Sequence, residues 1–160
     1  MKQIASFVAT VVLVGLSVTG LGAAAPVMNS SVGTWTLNVE KSTYSPGVAP
    51  KSSTLTITAA GKKVTSVIHT VAADDSATHV TYAGQYNGKS MKVTGSPMFD
   101  TASRRRISPT TTEATYRKAG RVYTVNTVVV ADDGKSMTVT SKGTDAEGRT
   151  VNNMQVYDKQ

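Results

Sequence analysis

The chain has 160 residues, no cysteine and two histidines, and its 17 Lys and Arg residues outnumber its 10 Asp and Glu residues. Disulfides and cysteine-based metal sites or nucleophiles are therefore excluded. The formal net charge of +7 favours anionic partners in general. The basic residues are nevertheless scattered along the chain and are not interleaved with aromatic residues, so we expect no nucleic-acid partner.

Residues 1–25 have the features of a secretory signal peptide. Lys2 supplies an early positive charge, a long apolar run follows, and three alanines precede Pro26. This pattern predicts cleavage before Pro26 and a mature protein that is periplasmic or secreted. The apolar run is shorter than a membrane-spanning helix, so no integral membrane span is expected. Residues 26–160 have a length typical of a single domain.

The first strand pattern after this leader contains the only tryptophan. Gly33, Trp35 and Leu37 alternate with polar residues and share one face of a predicted strand. We expect Trp35 to close one end of the core and Gly33 to allow a neighbouring backbone to approach it. The alternation stops after this stretch, and residues 38–42 predict a turn of helix that leads into an irregular loop.

The rest of the chain reads as short strands separated by Gly, Pro, Asn and Asp turn signals. Asn87-Gly88, for example, predicts a tight type I′ hairpin. About ten strands without a crossover helix favour an all-β, antiparallel up-and-down β-barrel, and an immunoglobulin-like sandwich is the alternative. The nine predicted strands after the first are 53–59, 63–72, 77–86, 89–95, 101–107, 112–118, 121–130, 135–142 and 149–159.

Three stretches resemble known barrel families. Gly33-x-Trp35 resembles the calycin signature that lipocalins and intracellular fatty-acid-binding proteins share, and residues 156–159 are similar to the last strand of the latter. Residues 33–50 also resemble bacterial exported lipocalin-like proteins of unassigned function. The resemblance implies a lipocalin-like barrel whose last strand pairs with its first, and which binds a small apolar or amphipathic molecule.

The same resemblance directs attention to the last strand. Fatty-acid-binding proteins often hold the carboxylate of their ligand with an Arg-x-Tyr pair just before the chain end. Here Tyr157 matches the tyrosine, but Gln155 stands at the arginine position. The implied carboxylate clamp is incomplete, although Gln155 can still donate a neutral hydrogen bond.

Alternation places many small and apolar side chains inside the predicted barrel, together with Tyr82 and Tyr116. We expect these residues to line a ligand cavity. In the alternative, the small side chains pack together and fill the interior.

Arg105 belongs to the densest run of charge in residues 26–160 and shares a strand face with Ile107. If Ile107 points inward, Arg105 also points inward and becomes a candidate anion receptor, since an unpaired buried guanidinium is costly. The alternative is a solvated strand in which Arg104 and Arg106 face outward and Arg105 lies at the rim.

Catalytic and metal-binding patterns are missing from the sequence. It has no Gly-x-Ser-x-Gly elbow, no His-Glu-x-x-His and no P-loop. His69 and His79 flank a turn and are expected to face each other on the solvent side without a third ligand, so we expect no metal, no cofactor and no enzyme activity.

These observations lead to two hypotheses about function. The first is a monomeric exported barrel that binds a small apolar or amphipathic ligand, with Tyr157, Gln155, Arg105, Tyr116 and Tyr82 as its contacts. The alternative is a non-enzymatic interaction protein with a filled barrel, whose basic outer surface contacts an anionic partner at the cell surface.

Overall fold

The fold was analysed in a computed structural model that describes residues 30–160. This part of the chain forms ten β-strands and contains no helix. The predicted signal peptide and its cleavage point lie outside the described residues. The strands are β1 (Gly33–Thr43), β2 (Ser52–Ala60), β3 (Lys63–Val71), β4 (Ala77–Gly84), β5 (Met91–Thr94), β6 (Thr101–Arg106), β7 (Thr111–Lys118), β8 (Arg121–Val130), β9 (Ser136–Thr144) and β10 (Thr150–Lys159).

The strands form a closed antiparallel barrel. Each strand pairs with the next one in the chain, and β1 pairs with both β2 and β10. The closing contact aligns Leu37 with Tyr157 and Trp35 with Lys159. The prediction of an all-β, up-and-down barrel of about ten strands is confirmed, and the sandwich alternative is wrong. Closure pairs every edge strand, which explains how short strands form one stable sheet.

Alternating side chains explain why these segments become strands with one buried face. In β2, Ser53 and Ile57 are buried, and the Thr residues between them are only partly covered. In β9, Met137, Val139 and Ser141 are buried in the same alternating way. The period of two residues matches the pleat of a strand, so one side of each strand faces the interior.

Trp35 lies at the end of the barrel where β1 begins and β10 ends, which we call the Trp35 end. Its side chain is 0% exposed, and the indole Nε1 donates a hydrogen bond to the Ser31 carbonyl at 2.8 Å. The Lys159 ammonium lies 5.1 Å from the centroid of the indole ring. A Cβ on Gly33 would lie 2.8 Å from Cε of Lys159, so the missing side chain makes room for this lysine and not for a neighbouring backbone.

The predicted helical turn after Leu37 is wrong, because β1 continues to Thr43. The pairing with β10 shifts register between Asn38 and Thr43, which marks a bulge. Within it, the Lys41 amide donates to Oδ1 of Asn38, and the Ser42 hydroxyl donates to the Asn38 carbonyl. These local contacts resemble those of a helical turn, but the Val156 amide of β10 donates to the Ser42 hydroxyl and keeps the segment in the sheet.

The shortest strand pairings in the barrel are those of β5 with its two neighbours, β4 and β6. β4 and β5 align at two positions, Thr81 with Thr94 and Tyr82 with Val93. By contrast, β4 pairs with β3 over its full length. The wall of the barrel therefore has few cross-strand hydrogen bonds at this seam.

Residues 85–90 connect β4 to β5 as a loop, so the predicted tight hairpin at Asn87-Gly88 is wrong. Asn87 forms an isolated bridge with Arg105 of β6, and the Gly88 amide donates to the Arg104 carbonyl at 2.9 Å. The loop therefore bonds to β6 and does not extend the β4–β5 ladder. This contact holds residue 86 over the Trp35 end of the barrel.

Gly143 of β9 is expected to tolerate no side chain. A Cβ at this position would lie 2.0 Å from the Tyr123 carbonyl oxygen and 2.8 Å from Cα of Thr124, both backbone atoms of β8. We expect Gly143→Ala to lower the free energy of unfolding by about 1–3 kcal/mol, because the two strands must move apart. Urea unfolding measures this loss.

Gly84→Ala is the matched control for this prediction. A Cβ on Gly84 would meet the Met91 side chain at 3.0 Å, and that thioether can move. We expect a smaller loss for Gly84→Ala than for Gly143→Ala. Equal losses in the two variants would contradict the steric explanation.

Candidate functional site

The buried apolar side chains form two separate clusters on opposite parts of the barrel wall. Small domains usually have one continuous apolar core. Here the interior also contains buried polar residues, among them Ser66 and Arg104. The first cluster, at the Trp35 end, contains Trp35, Leu37, Ile57, Val64, Val130, Met137, Val139 and Tyr157. The second cluster, on β4 to β7, contains Val80, Tyr82, Met91, Val93, Ala102, Ala114 and Tyr116.

Arg104 of β6 is the charged residue that enters this interior. Its side chain is 5% exposed and reaches across the barrel to β3. There Nη1 donates to the Ser66 hydroxyl at 3.0 Å, and Nη2 donates to the Val64 carbonyl. The Nε atom is buried without a hydrogen-bond partner. None of the ion pairs within residues 30–160 involves this guanidinium, so its charge is buried without a counter-charge from that part of the chain.

Aromatic rings lie next to the Arg104 guanidinium. Its central carbon is 5.2 Å from the Tyr82 ring centroid and 5.1 Å from that of Tyr86. Cation–π contacts of this kind offset part of the cost of burying the charge. A ring face does not replace a hydrogen-bond acceptor in the plane of the guanidinium, so Nε remains without a partner.

Two tyrosines from the second cluster place their hydroxyl groups in the same interior. The Tyr82 and Tyr116 hydroxyls form a buried hydrogen bond at 2.7 Å, and their rings meet edge to face. Burial and the nearby Tyr82 raise the pKa of Tyr116 well above its usual value, although the positive charge of Arg104 opposes this shift. Tyr116 therefore stays neutral at physiological pH, and its hydroxyl acts as a hydrogen-bond donor or acceptor.

A groove at the Trp35 end leads toward this region. It has a volume of about 290 Å³, and Val64, Tyr86 and Arg106 are among its lining residues. The Tyr86 ring lies near the guanidinium groups of both Arg104, inside, and Arg106, at 4.7 Å. Lys62 also lines the groove and adds positive charge. The Tyr86 ring thus lies between this basic groove and the buried Arg104, which does not itself line the groove.

A second groove of about 630 Å³ follows the β4–β5 seam. Its lining includes Tyr82 and Met91, two members of the second cluster, together with the loop residues Gln85, Asn87 and Lys89. The short pairing at this seam places the second cluster close to solvent. The two grooves share Gln85 and Asn87, so both border the 85–90 loop.

Further polar side chains lie inside the opposite half of the barrel. Tyr157 is 5% exposed, and the half-buried Gln155 donates a hydrogen bond to the Tyr44 hydroxyl at 3.1 Å. On β8, Oδ1 of Asn126 is buried without a hydrogen-bond partner. Buried polar atoms are nearly always paired, so Asn126 and Arg104 are both unusual.

Burial gives Tyr157 a pH-dependent effect on stability. Loss of solvent raises its pKa from 10.0 to about 12, although a hydrogen bond with Ser53 opposes the shift. Below pH 10 the residue is neutral in both the folded and the unfolded chain. Between about pH 10 and 12 only the unfolded chain ionises, so we expect Tyr157 to remove about 2–3 kcal/mol of stability over this range.

Tyr157→Phe tests this expectation because it removes the ionisable group and keeps the ring. Urea unfolding at a series of alkaline pH values should show a steeper loss of stability for the wild type than for the variant. Parallel curves for the two proteins would mean that Tyr157 is not buried as described.

The structure brings some of the sequence-predicted residues together and corrects the position of one. Tyr82, Tyr116 and Tyr157 lie inside the barrel, with Gln155 near Tyr157. Arg105 does not face inward: its Nη2 forms an ion pair with Glu113 at 2.9 Å, and its side chain is 62% exposed.

The physical reason is the phase of β6. Arg104 follows the buried Ala102 at a spacing of two residues, so it takes the inward position. Ile107 lies beyond the end of the strand, is 55% exposed and therefore reports nothing about the inner face. Sequence reasoning missed Arg104, and the small residue at 102 was the signal that could have identified it.

Comparisons with known proteins add little to this geometry. No protein-family model matches the chain. No curated protein has a matching sequence. A solved structure with a related shape is that of a redesigned β-barrel, mFAP1, bound to DFHBI, which is 12% identical with a TM-score of 0.42 over 81% of this chain and 95% of that chain. At this level of similarity no functional argument follows, and the architecture rests on the strand pairing. Within residues 30–160 there is no helix long and apolar enough to cross a membrane.

Proposed function

We propose that this protein is an exported, non-enzymatic binding protein that holds a small amphipathic molecule inside its barrel. The anionic group of the ligand contacts Arg104, and its apolar part packs against the second cluster, which includes Tyr82 and Tyr116. One observation carries the proposal: a guanidinium that is 5% exposed has a buried Nε without a partner and forms no ion pair within residues 30–160.

The energetics favour an anion at this position. A charged group that is buried without a counter-charge costs several kcal/mol, and hydrogen bonds to neutral oxygens offset only part of this cost. A carboxylate, phosphate or sulfate oxygen would accept a hydrogen bond from Nε and supply the missing charge. Charge-assisted hydrogen bonds are about twice as strong as neutral ones.

The neighbouring side chains suit the rest of an amphipathic molecule. The rings of Tyr82 and Tyr116 and the side chains of Met91 and Val93 belong to one apolar cluster. The cluster borders the groove at the β4–β5 seam. Each buried methylene of a ligand contributes about 0.8 kcal/mol, so a chain of several methylenes gains most of its affinity there.

The basic opening supports entry of an anionic ligand. Lys62 and Arg106 line the groove at the Trp35 end, next to Tyr86, which also contacts Arg104. Positive groups at an opening raise the local concentration of anions and their association rate. The last-strand residues Tyr157 and Gln155 are proposed as polar contacts for the far end of the ligand.

Purification from the producing cells under non-denaturing conditions tests the proposal. Solvent extraction and mass spectrometry of the purified protein should release a stoichiometric anionic amphipathic compound, and the intact mass should correspond to cleavage before Pro26. An empty extract, together with no uptake of dodecanoate by the purified protein, would contradict the proposal. That result would favour an interaction protein with a filled barrel.

A further inference from the structure

The two histidines of the chain face each other on the outer surface of the barrel. His69 of β3 and His79 of β4 are directly opposite in the antiparallel register. Both side chains are exposed, and the adjacent Ile68 and Val80 face inward. Their ring centroids are 4.0 Å apart, and the ring planes lie at 80° to each other. The imidazoles are therefore held together by the sheet, outside the proposed ligand site.

The distance between the two Nδ1 atoms matches that of two imidazole nitrogens bound to one metal ion. The two Nδ1 atoms are 3.1 Å apart. A transition-metal ion binds imidazole nitrogen at about 2.0–2.1 Å, and ligand angles of about 90–109° then separate the two nitrogens by about 2.9–3.4 Å. The observed distance lies within this range. Rotation of the two side chains can therefore direct both Nδ1 atoms at a single ion, with no change in the backbone register.

Against the expectation of no metal drawn from the sequence, we propose that His69 and His79 form a surface site for a divalent late first-row transition-metal ion, with Cu²⁺ bound most tightly. Neutral imidazole is a preferred ligand of Cu²⁺, Ni²⁺ and Zn²⁺, and affinity for a given set of ligands is highest for Cu²⁺. Both Nδ1 atoms are ligands. No third His, Asp or Glu joins the pair in the described part of the chain, so water completes the coordination.

The strand pairing holds the two histidines opposite each other before any metal binds. At 3.1 Å, one Nδ1 donates a hydrogen bond to the other. On metal binding the donor ring moves its proton to Nε2, so both rings become neutral ligands with Nδ1 lone pairs directed at the ion. Because two paired strands hold the side chains, little conformational freedom is lost on binding.

Calorimetric titration of the untagged full-length protein with Cu²⁺ tests the site, with glycine as a competing chelator to remove weakly bound metal. We expect one tight Cu²⁺ per chain. His69→Thr and His79→Thr should each weaken binding by roughly tenfold or more, since a two-nitrogen chelate becomes a single ligand. Threonine favours strand structure, so both variants are expected to fold. Thr81→Val, on the same outer face of β4, should leave Cu²⁺ affinity unchanged.

A second measurement needs no variant. Substoichiometric Cu²⁺ should broaden the NMR signals of the His69 and His79 rings before any other side-chain signals, and excess Zn²⁺ should restore them. Wild-type affinity in both His variants, or broadening that begins elsewhere, would overturn the proposal. The result is independent of the barrel interior, because a ligand at Arg104 contacts neither ring.

Discussion

Trp35→Ala is expected to lower the free energy of unfolding by about 3–5 kcal/mol, the usual range for a large buried aromatic side chain. The indole is 0% exposed and closes the Trp35 end of the barrel. Its loss leaves a cavity in the first cluster and removes the Nε1 hydrogen bond to Ser31. Without any disulfide in the chain, this loss approaches the total stability of many domains. Urea or thermal unfolding measures it.

Two further variants serve as controls for Trp35. Trp35→Phe keeps an aromatic ring and should lose less stability than Trp35→Ala. Val122→Ala truncates an apolar side chain that is 52% exposed, and we expect a change within about 0.5 kcal/mol. If Trp35→Ala unfolds with the same midpoint as Val122→Ala, the indole does not belong to the core.

Arg104→Met is expected to weaken binding of an anionic amphiphile by about 10- to 100-fold, because a charged hydrogen bond contributes about 1.5–3 kcal/mol. Dodecanoate and dodecanol provide a matched pair of ligands with and without the charge. The variant should lose affinity for dodecanoate and retain affinity for dodecanol. Displacement of an environment-sensitive fluorescent probe measures both.

The same variant should remain folded. Replacing a buried charge that has no counter-charge by an apolar side chain of similar length removes the cost of keeping that charge out of water. Against this, the Ser66 hydroxyl and the Val64 carbonyl lose their hydrogen bonds from Arg104. Stability and binding should therefore change separately, as expected for a residue kept for function.

Arg105→Met is the matched control for Arg104→Met, since the two arginines are adjacent and differ in the face they occupy. Arg105 is paired with Glu113 on the outer surface. Its substitution should leave dodecanoate affinity within twofold of the wild type, a difference of about 0.4 kcal/mol. Equal losses in the two variants would indicate that only the net charge of the protein matters, and would contradict a specific anion site.

The architecture could be predicted from the sequence because its signals are local and repeated. Alternation in β2 and β9, and turn residues between strands, define antiparallel neighbours without knowledge of distant contacts. The closing pair of β1 and β10 was predicted from a resemblance at the two chain ends. This pairing depends on contacts between residues far apart in sequence, which alternation alone does not reveal.

The site was harder to predict because it depends on the phase of a short strand. In a run of three arginines, alternation allows either Arg105 or its two neighbours to face inward. Ile107 favoured Arg105, which the structure places outside. Only the positions of Ala102 and of the opposite strand β3 place Arg104 inside. The role of Tyr86 depends on the 85–90 loop, which bonds to β6. Local turn preference had favoured a tight hairpin there, and tertiary hydrogen bonds outweigh that preference.

The central claim is that Arg104 binds the anionic group of a ligand inside the barrel. The most direct test is NMR observation of the arginine Nε–H signals during titration with dodecanoate, with Arg104→Met used for assignment. We predict that the Arg104 Nε–H signal shifts at saturation with dodecanoate and not with dodecanol, while the Arg105 signal stays unchanged. Binding of dodecanoate with an unchanged Arg104 signal would contradict the claim and would place the anion elsewhere.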